Sequence, residues 1–254
     1  STIAATSPDG ITWTQRTLPV DASWSSVCWS PELHLFCAVA YRSDIASTSP
    51  DGITWTQRTL PSVYWRSVCW SPELGLFCAV ASNSTNIAAT SPDGITWTQR
   101  TLSIIARWTS ICWSSELKLF CTVASGDSNI AATSPDGITW TQRTLPASAY
   151  WNSVCWSPEL GLFCAVASLT MAATSPDGIT WTQRTLPVRA AWWSICWSPE
   201  LGLFCTVVYN NSTIAATSTI TPVAGTSTVH FTATTKDGTN LSLSTSDITV
   251  TTTV

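Results

Sequence analysis

Residues 7–18 read SPDGITWTQRTL, and residues 28–37 read CWSPELHLFC. The first phrase returns at Ser49, Ser91, Ser134 and Ser175, and close variants of the second begin at Cys69, Cys112, Cys155 and Cys196. The two phrases alternate, so that the tryptophan of the first recurs every 41 to 43 residues. A fixed period of this length indicates a repeat protein, in which each unit buries its apolar face against its neighbours.

Each repeat contains four short segments with the character of β-strands. In the first full repeat these are residues 24–30, residues 35–40, the IASTS segment and the ITWTQRT segment. Pro-Glu-Leu-Gly, or a close variant, joins the first two segments, and Ser-Pro-Asp-Gly joins the last two, as in tight turns. No segment has an apolar period typical of a helix. Four strands in about 42 residues predict the blade of a β-propeller.

The order of the phrases predicts how the ring closes. The chain opens with the third and fourth strands of a blade, and its fifth cysteine phrase supplies only a first and second strand. We therefore expect an all-β fold over residues 1–218, a five-bladed propeller of four-stranded blades closed by both chain ends. Residues 219–254 contain no Trp and no Cys, and 13 of these 36 residues are Thr. Their alternating pattern predicts a Thr-rich β-strand tail, which is an assembly segment or the start of a further domain.

The first phrase resembles the Asp-box of sialidase-type propellers through Ser7, Asp9, Gly10, Thr12 and Trp13. The wider repeat is similar to propeller repeats in phage, large-virus and bacterial surface proteins. The five-blade count resembles tachylectin-like lectins in architecture only. The resemblance implies a propeller fold, and it implies little about function because propellers host unrelated activities.

Composition excludes several classes of function. Charged residues make up 10% of the chain, the net charge is −4, and the 11 basic residues are scattered, which argues against nucleic-acid binding. No apolar run approaches the ~20 residues that span a bilayer, so we expect no membrane insertion. With only His34 and His230, and no C-x-x-C pair, the sequence predicts no metal site, no cofactor and no enzyme activity.

The cysteines come in pairs nine residues apart. Because paired positions of an antiparallel hairpin have a constant sum, each pair lies directly opposite across one hairpin. The prediction is five disulfides: Cys28–Cys37, Cys69–Cys78, Cys112–Cys121, Cys155–Cys164 and Cys196–Cys205. The alternative is that these cysteines are reduced thiols that pack the core. Ten cysteines together with glycosylation sequons favour an extracellular protein.

Residues that are the same in every repeat are expected to have a structural role. Residues that differ between repeats are expected to take part in recognition. The arginine of each TQRT segment and the glutamate of each first turn are interpreted as solvated turn positions: Arg16, Arg58, Arg100, Arg143 and Arg184, with Glu32, Glu73, Glu116, Glu159 and Glu200. The repeats vary after TQRTL and after the second strand, and both stretches should lie at one end of the blades. That end is the candidate binding surface, with drift of unconstrained loops as the alternative.

Two further groups of residues complete the predictions. Sequons make glycosylation candidates of Asn83, Asn210, Asn211 and Asn240. Assembly candidates are the apolar residues of the terminal strands: Ile3, Ile214, Val229, Phe231, Leu241, Leu243, Ile248 and Val250. We expect a structural or adhesive subunit that binds other copies of itself by head-to-tail strand addition, forming a fibre or a surface or virion appendage. The alternative is a multivalent lectin that binds carbohydrate between blades.

Overall fold

A computed structural model describes residues 1–209, 215–223, 226–234 and 240–241, and every regular element among them is a β-strand. The strands, in chain order, are β1 (Ile3–Thr6), β2 (Thr14–Thr17), β3 (Ser23–Ser30), β4 (Leu35–Tyr41), β5 (Ser43–Ser49), β6 (Thr56–Val63), β7 (Trp65–Ser71), β8 (Leu76–Ala81), β9 (Thr85–Ser91), β10 (Thr98–Ser114), β11 (Leu119–Ser125), β12 (Ser128–Ser134), β13 (Thr141–Ala149), β14 (Trp151–Ser157), β15 (Leu162–Ala167), β16 (Leu169–Ser175), β17 (Thr182–Ala190), β18 (Trp192–Ser198), β19 (Leu203–Val208), β20 (Ala215–Val223), β21 (Thr226–Thr234) and β22 (Asn240–Leu241).

The strands pair in sequence order, as the repeat predicts. Two four-stranded sheets have the orders β3-β4-β5-β6 and β14-β15-β16-β17. A seven-stranded sheet runs from β7 to β13, because the long strand β10 serves as the fourth strand of one repeat and the first strand of the next. Each four-stranded set is an antiparallel meander, in which every strand pairs with its neighbours in the chain.

The two chain ends differ from the expected closure. The last sheet has the order β18-β19-β20-β21-β22, whereas β1 and β2 form a two-stranded sheet of their own. The prediction that the chain's start completes the fifth blade is therefore wrong for this structure. Residues 214–218 repeat the IAATS sequence of residues 3–7. The part of this segment that lies in β20 is close to β19 in the sequence, so its pairing with β19 closes a much shorter loop.

The chain divides into two compact units. The first comprises Ser1–Thr122 with Ala132–Gln142, and the second comprises Val123–Ala131 with the chain from Arg143 onward. In the first unit, Trp65 and Phe77 are fully buried among alanine, valine and leucine side chains. In the second unit, Trp192 and Phe204 have the equivalent place. Truncating one such tryptophan would remove about 3–5 kcal/mol of stability, so these rings anchor each core.

Candidate functional site

The Ser-Pro-Asp-Gly turn is a structural device, as its repetition predicts. In the first copy, Asp9 Oδ1 accepts the backbone N–H groups of Ile11 and Thr12, both at 2.8 Å. These bonds to Thr12 and Ile11 stabilise the carboxylate and lower the pKa of Asp9. Ser7 Oγ accepts the N–H of Gly10 at 2.7 Å, and Trp13 Nε1 donates to the Gly10 carbonyl at 3.1 Å. The side chains of the turn thus bond the turn's own backbone.

The repeated arginines bond within their own repeat. Arg16 Nε donates to Thr6 Oγ1 at 2.9 Å, and Arg58 Nε donates to Thr48 Oγ1 at 3.0 Å. The same bond at 3.0 Å recurs in Arg100 and Arg184. The interpretation of these arginines as solvated turn residues is wrong, because each is half-buried and joins the fourth strand to the third.

The repeated glutamates also have a structural partner. The carboxylate of Glu32 accepts a bond from Trp70 Nε1 at 2.6 Å, across to the next first strand. Glu73 and Trp113 form the same bond at 2.6 Å, and Glu159 accepts from Trp197 Nε1 at 2.5 Å. The interpretation of these three glutamates as solvated turn residues is therefore wrong, because each carboxylate forms a hydrogen bond with a tryptophan of the next repeat.

The cysteines face each other without being bonded. The register pairs Cys28 with Cys37 directly, and the equivalent residues pair in three more hairpins. The structure nevertheless has no disulfide between these cysteines, so the five predicted bonds are not seen in it. Burial raises the pKa of Cys37 to about 12, and it also raises the pKa of Cys28. Burial therefore favours the protonated form of these two thiols at neutral pH.

The N-terminal hairpin β1–β2, called here the half-blade, contains only the last two strands of a repeat. Trp13 is 63% exposed, whereas its counterparts Trp140 and Trp181 are 7% and 8% exposed. Those counterparts pack against a phenylalanine of the second strand, as Trp140 does against Phe120 at 6.4 Å between ring centroids. The half-blade has no second strand in its sheet, so its tryptophan lies open.

The neighbouring first strand β3 is open for the same reason. Val27 is 58% exposed, whereas Val68 is 4% exposed and Ile111 is 5% exposed at the equivalent position. The backbone N–H of Val68 donates to Ser26 Oγ at 3.2 Å, which shows that the first strand β7 lies against the preceding first strand β3. For Val27 that preceding first strand would belong to the half-blade, which lacks it.

The stretches that vary between repeats meet at one end of the strands, here called the variable end. Ser82 donates its N–H to the Tyr64 carbonyl at 2.7 Å, which joins the two kinds of varied stretch in the first unit. In the second unit, the N–H of Ser168 donates to the Tyr150 carbonyl at 3.1 Å. The prediction that both stretches lie at one end is therefore confirmed in each unit.

One cluster at the variable end of the first unit was not predicted from the sequence. The rings of Tyr41 and Tyr64 pack edge to face, with centroids 5.1 Å apart. The guanidinium of Arg42 lies 5.6 Å from the Tyr41 centroid and 5.5 Å from the Tyr64 centroid. Burial lowers the pKa of the half-buried Arg66, Tyr41 acts in the opposite direction, and Arg107 lowers this pKa further. The cluster joins residues from three strands and their turns, so no local pattern could have revealed it.

A second aromatic pair lies at the variable end of the second unit. The Trp193 ring stacks on the Tyr209 ring with centroids 4.8 Å apart and an interplanar angle of 26°. Both side chains are exposed, at 39% and 54%.

The remaining predicted residues are placed as follows. Asn83 is exposed in a turn and has a left-handed φ of 72°. Asn240 begins β22, while Asn210 and Asn211 lie outside the described residues. Among the assembly candidates, Ile3 is 60% exposed on β1. The strands β21 and β22 contain Val229, Phe231 and Leu241, whereas Ile214, Leu243, Ile248 and Val250 lie outside the described residues.

The described residues contain neither a metal-binding cluster nor a membrane-spanning helix. They contain no group of three or more His, Cys, Asp or Glu side chains that could hold a metal ion. In the same part of the chain, no helix has the length and apolar character needed to cross a membrane.

Comparison with known proteins identifies the fold. No family model and no curated protein sequence matches the chain. Among solved structures, a streptogramin B lyase is 12% identical with a TM-score of 0.69, over 90% of this chain and 86% of that chain. Virginiamycin B lyase from Staphylococcus aureus is 11% identical with a TM-score of 0.68, over 87% and 84%. YCF48 bound to a D1 peptide is 15% identical with a TM-score of 0.60, over 87% and 79%. These neighbours are β-propeller proteins, and at such identities the likeness shows the fold alone.

Proposed function

We propose that this protein is a non-enzymatic, extracellular structural or adhesive subunit that self-associates through its terminal strands into a fibre or a surface or virion appendage. The observation that carries the proposal is the half-blade. It presents the free edge of β1, the exposed ring of Trp13 and the exposed Val27 beside it. An unpaired strand edge next to apolar surface is a template for strand addition by another molecule.

The proposal includes a finer architecture. The repeats are of the Asp-box type, and the assembled unit has five blades, one for each copy of the cysteine phrase. The β-propeller neighbours, which cover 87% to 90% of the chain, support the general class of this architecture.

A structural role is also supported by the way the repeated polar residues are used. The arginines of the TQRT segments bond threonines, and three of the turn glutamates bond tryptophans of the next repeat. A general acid or base must reach a substrate, and groups held by such bonds are less available for that role. Exposure of the Asn83 sequon agrees with an extracellular location. Intact-mass spectrometry before and after glycosidase treatment of protein from the native source tests that location.

The test of self-association uses the full chain and two lysine substitutions. Val27→Lys places a charge on the open face of β3, whereas Ile11→Lys changes an 85% exposed residue whose counterparts, such as Ile53, are half exposed too. Light scattering across a concentration series and electron microscopy should show oligomers for the unmodified chain and for Ile11→Lys. Val27→Lys should remain monomeric. Monomers of the unmodified chain at all concentrations would exclude the proposal.

A second candidate function, binding of acidic glycans, is favoured by the Tyr41–Arg42–Tyr64 cluster. The two rings hold the Arg42 guanidinium in place, and a guanidinium held in this way loses less entropy when it bonds an anion. Of the four arginines outside the TQRT segments, three are Arg42, Arg66 and Arg107, which this cluster brings to one place. A carboxylate or sulfate on a sugar is the anionic group that such a surface suits.

The fourth of these arginines provides the control. Arg189 is exposed in the varied stretch after TQRTL, where Arg107 lies in another repeat, and it is outside the cluster. On an array of sulfated, sialylated and neutral glycans, Arg42→Ala should abolish binding to the acidic members, and Arg189→Ala should leave it unchanged. Salt should weaken binding of the unmodified chain, because the attraction is screened. Equal loss in both variants, or binding of neutral glycans alone, would contradict this candidate.

A further inference from the structure

The contacts between successive repeats define what the half-blade lacks. In the pairs β3–β7, β7–β10 and β14–β18, the earlier first strand accepts two bonds from the later one. Its serine accepts a backbone N–H, as Ser153 Oγ does from Ile195 at 3.3 Å, and its turn glutamate accepts an indole N–H. The indole bond joins Trp197 to Glu159 at 2.5 Å. A first and second strand with these two groups would therefore complete the half-blade.

Among the residues that the structure describes, one such strand pair has its receiving groups exposed. In the hairpin β18–β19, Ser194 and Glu200 are exposed and have the positions of Ser153 and Glu159. On the other side of the interface, Val27 and Trp29 are 58% and 39% exposed and have the positions of Ile195 and Trp197. The exposed face of β18 and the exposed face of β3 have the groups that form the interface between β14 and β18.

The partner strand of β19 is also interchangeable. β19 pairs with β20 so that Cys205 lies opposite Thr217 and Thr206 lies opposite Ala216. Residues 3–7 of β1 and its flank have the same sequence, IAATS, and Thr6 has the position of Thr217. The β-strand pairing energy of the two copies is therefore closely similar, and side chains beyond the strand decide between them.

Those side chains favour β1. The half-blade brings Trp13, the residue that packs on the second-strand phenylalanine in other repeats. It also brings Arg16, which bonds Thr6. Residues 219–254, which begin within β20 and run to the end of the sequence, contain neither Trp nor Arg. Replacing β20–β21 by β1–β2 on β19 thus brings the tryptophan that packs on the second-strand phenylalanine in other repeats, a residue type that the tail lacks.

We propose that the β18–β19 hairpin of one copy docks into the half-blade of a second copy, where β1 displaces β20 from β19. This inference rests on the proposed self-association and names its interface. In the docked state Cys205 lies opposite Thr6, Phe204 lies under Trp13, and Glu200 accepts the indole N–H of Trp29. Because the donor hairpin and the acceptor half-blade are different surfaces, the contact is head-to-tail and propagates into a filament.

The test places a thiol at the predicted contact. Thr6→Cys in the full chain, under mild oxidation, should form a disulfide with Cys205 and double the chain mass on a non-reducing gel. Peptide mapping of an equal mixture of ¹⁵N-labelled and unlabelled chains should then find roughly half of the bridged peptides with one labelled and one unlabelled strand. Thr12→Cys, in the exposed turn of the same hairpin, is the matched control and should not bridge to Cys205.

The outcomes separate this interface from self-association in general. If the chain forms oligomers by light scattering while the thiol at position 6 bridges elsewhere or remains free, the interface is wrong and self-association stands. If the chain remains monomeric, both proposals fail. A bridge from position 6 to Cys205 without mixed isotopes would mean that it forms within one chain, and that result also overturns docking between copies. Protection of Cys196 from alkylation as concentration rises is an independent expected result, since docking covers β18.

Discussion

Gly10 and Gly137 have the same place in the repeat and the same left-handed backbone, with φ of +72° and +71°. Their surroundings differ. A Cβ atom at Gly137 would meet Thr90 Cγ2 at 3.0 Å and the Phe120 ring at 3.5 Å, whereas one at Gly10 would meet nothing within 4 Å. Glycine therefore has two physical roles at the same position of the repeat, and the side chains packed around it determine which role applies.

Alanine substitution separates these roles. Gly10→Ala should cost only the left-handed backbone, on the order of 1 kcal/mol. Gly137→Ala should cost that amount plus about 1–3 kcal/mol for overpacking against Thr90. Urea denaturation at low protein concentration measures the difference between the variants. Equal losses would show that the packing at Gly137 relaxes without cost.

Cysteine reactivity gives a second prediction at the residue scale. Cys196 is exposed, whereas the other nine cysteines are buried or partly buried. Burial raises the pKa of Cys37 and Cys164 to about 12, so these thiols stay protonated at neutral pH. Iodoacetamide at neutral pH and low protein concentration should alkylate Cys196 first, as peptide mass spectrometry can record. Early labelling of Cys37 or Cys164 would contradict the burial of these hairpins.

At the scale of elements, the half-blade differs from the hairpins that have the same sequence. In a complete blade the second strand covers the tryptophan of the fourth-strand hairpin, as Phe163 covers Trp181 with centroids 6.4 Å apart. In the half-blade the ring of Trp13 bonds only its own turn, through the Gly10 carbonyl. The stability that a hairpin contributes depends on the strands beside it.

Truncation of the tryptophans measures that dependence. Trp140→Ala should lower the free energy of unfolding by about 3–5 kcal/mol, because it opens a cavity in a packed core. Trp13→Ala should lower it by about 0.5 kcal/mol, since the ring is mostly in water. Chemical denaturation of the monomer measures both changes, and at high concentration Trp13→Ala should also reduce oligomer formation. A large loss for Trp13→Ala in the monomer would mean that the half-blade is covered.

At the scale of the whole molecule, the five repeated turns titrate in the same direction. In Asp51 the backbone bonds to Thr54 and Ile53 lower the pKa of the carboxyl below 3.8. For Asp93, Asp136 and Asp177 burial acts in the opposite direction, and the bonds from backbone N–H groups outweigh it, so their pKa is lowered too. With Asp9, all five turns favour the ionised carboxylate.

The folded state should therefore remain stable in moderate acid and lose stability at lower pH. A carboxyl whose pKa is lower in the folded state contributes stability that is fully present above its unfolded pKa of about 3.8. That stability is lost as the pH falls through the lower folded pKa. Thermal melts should be nearly constant from pH 7 to about pH 5 and fall steeply below pH 3.8. Asp136→Asn should make the melting temperature less sensitive to pH in the acid range.

The repeat, the four strands of each unit, the hairpin register and the structural role of the Ser-Pro-Asp-Gly turn could all be predicted from the sequence. These features are local or periodic, so a residue and its partner lie within one repeat and the pattern appears five times. The opposition of Cys28 and Cys37 follows from hairpin geometry alone. Whether these thiols are oxidised does not follow, because that depends on burial by neighbouring strands.

Contacts between residues of different repeats could be identified only from the folded structure. The sequence contains IAATS twice, and nothing within those five letters says that β20 rather than β1 pairs with β19. The bond from Trp70 to Glu32 spans 38 positions, and the cluster of Tyr41, Arg42 and Tyr64 joins a strand end, a turn and the start of another sheet. Such contacts depend on how sheets stack, and stacking is a property of the folded chain that no periodicity within one repeat encodes.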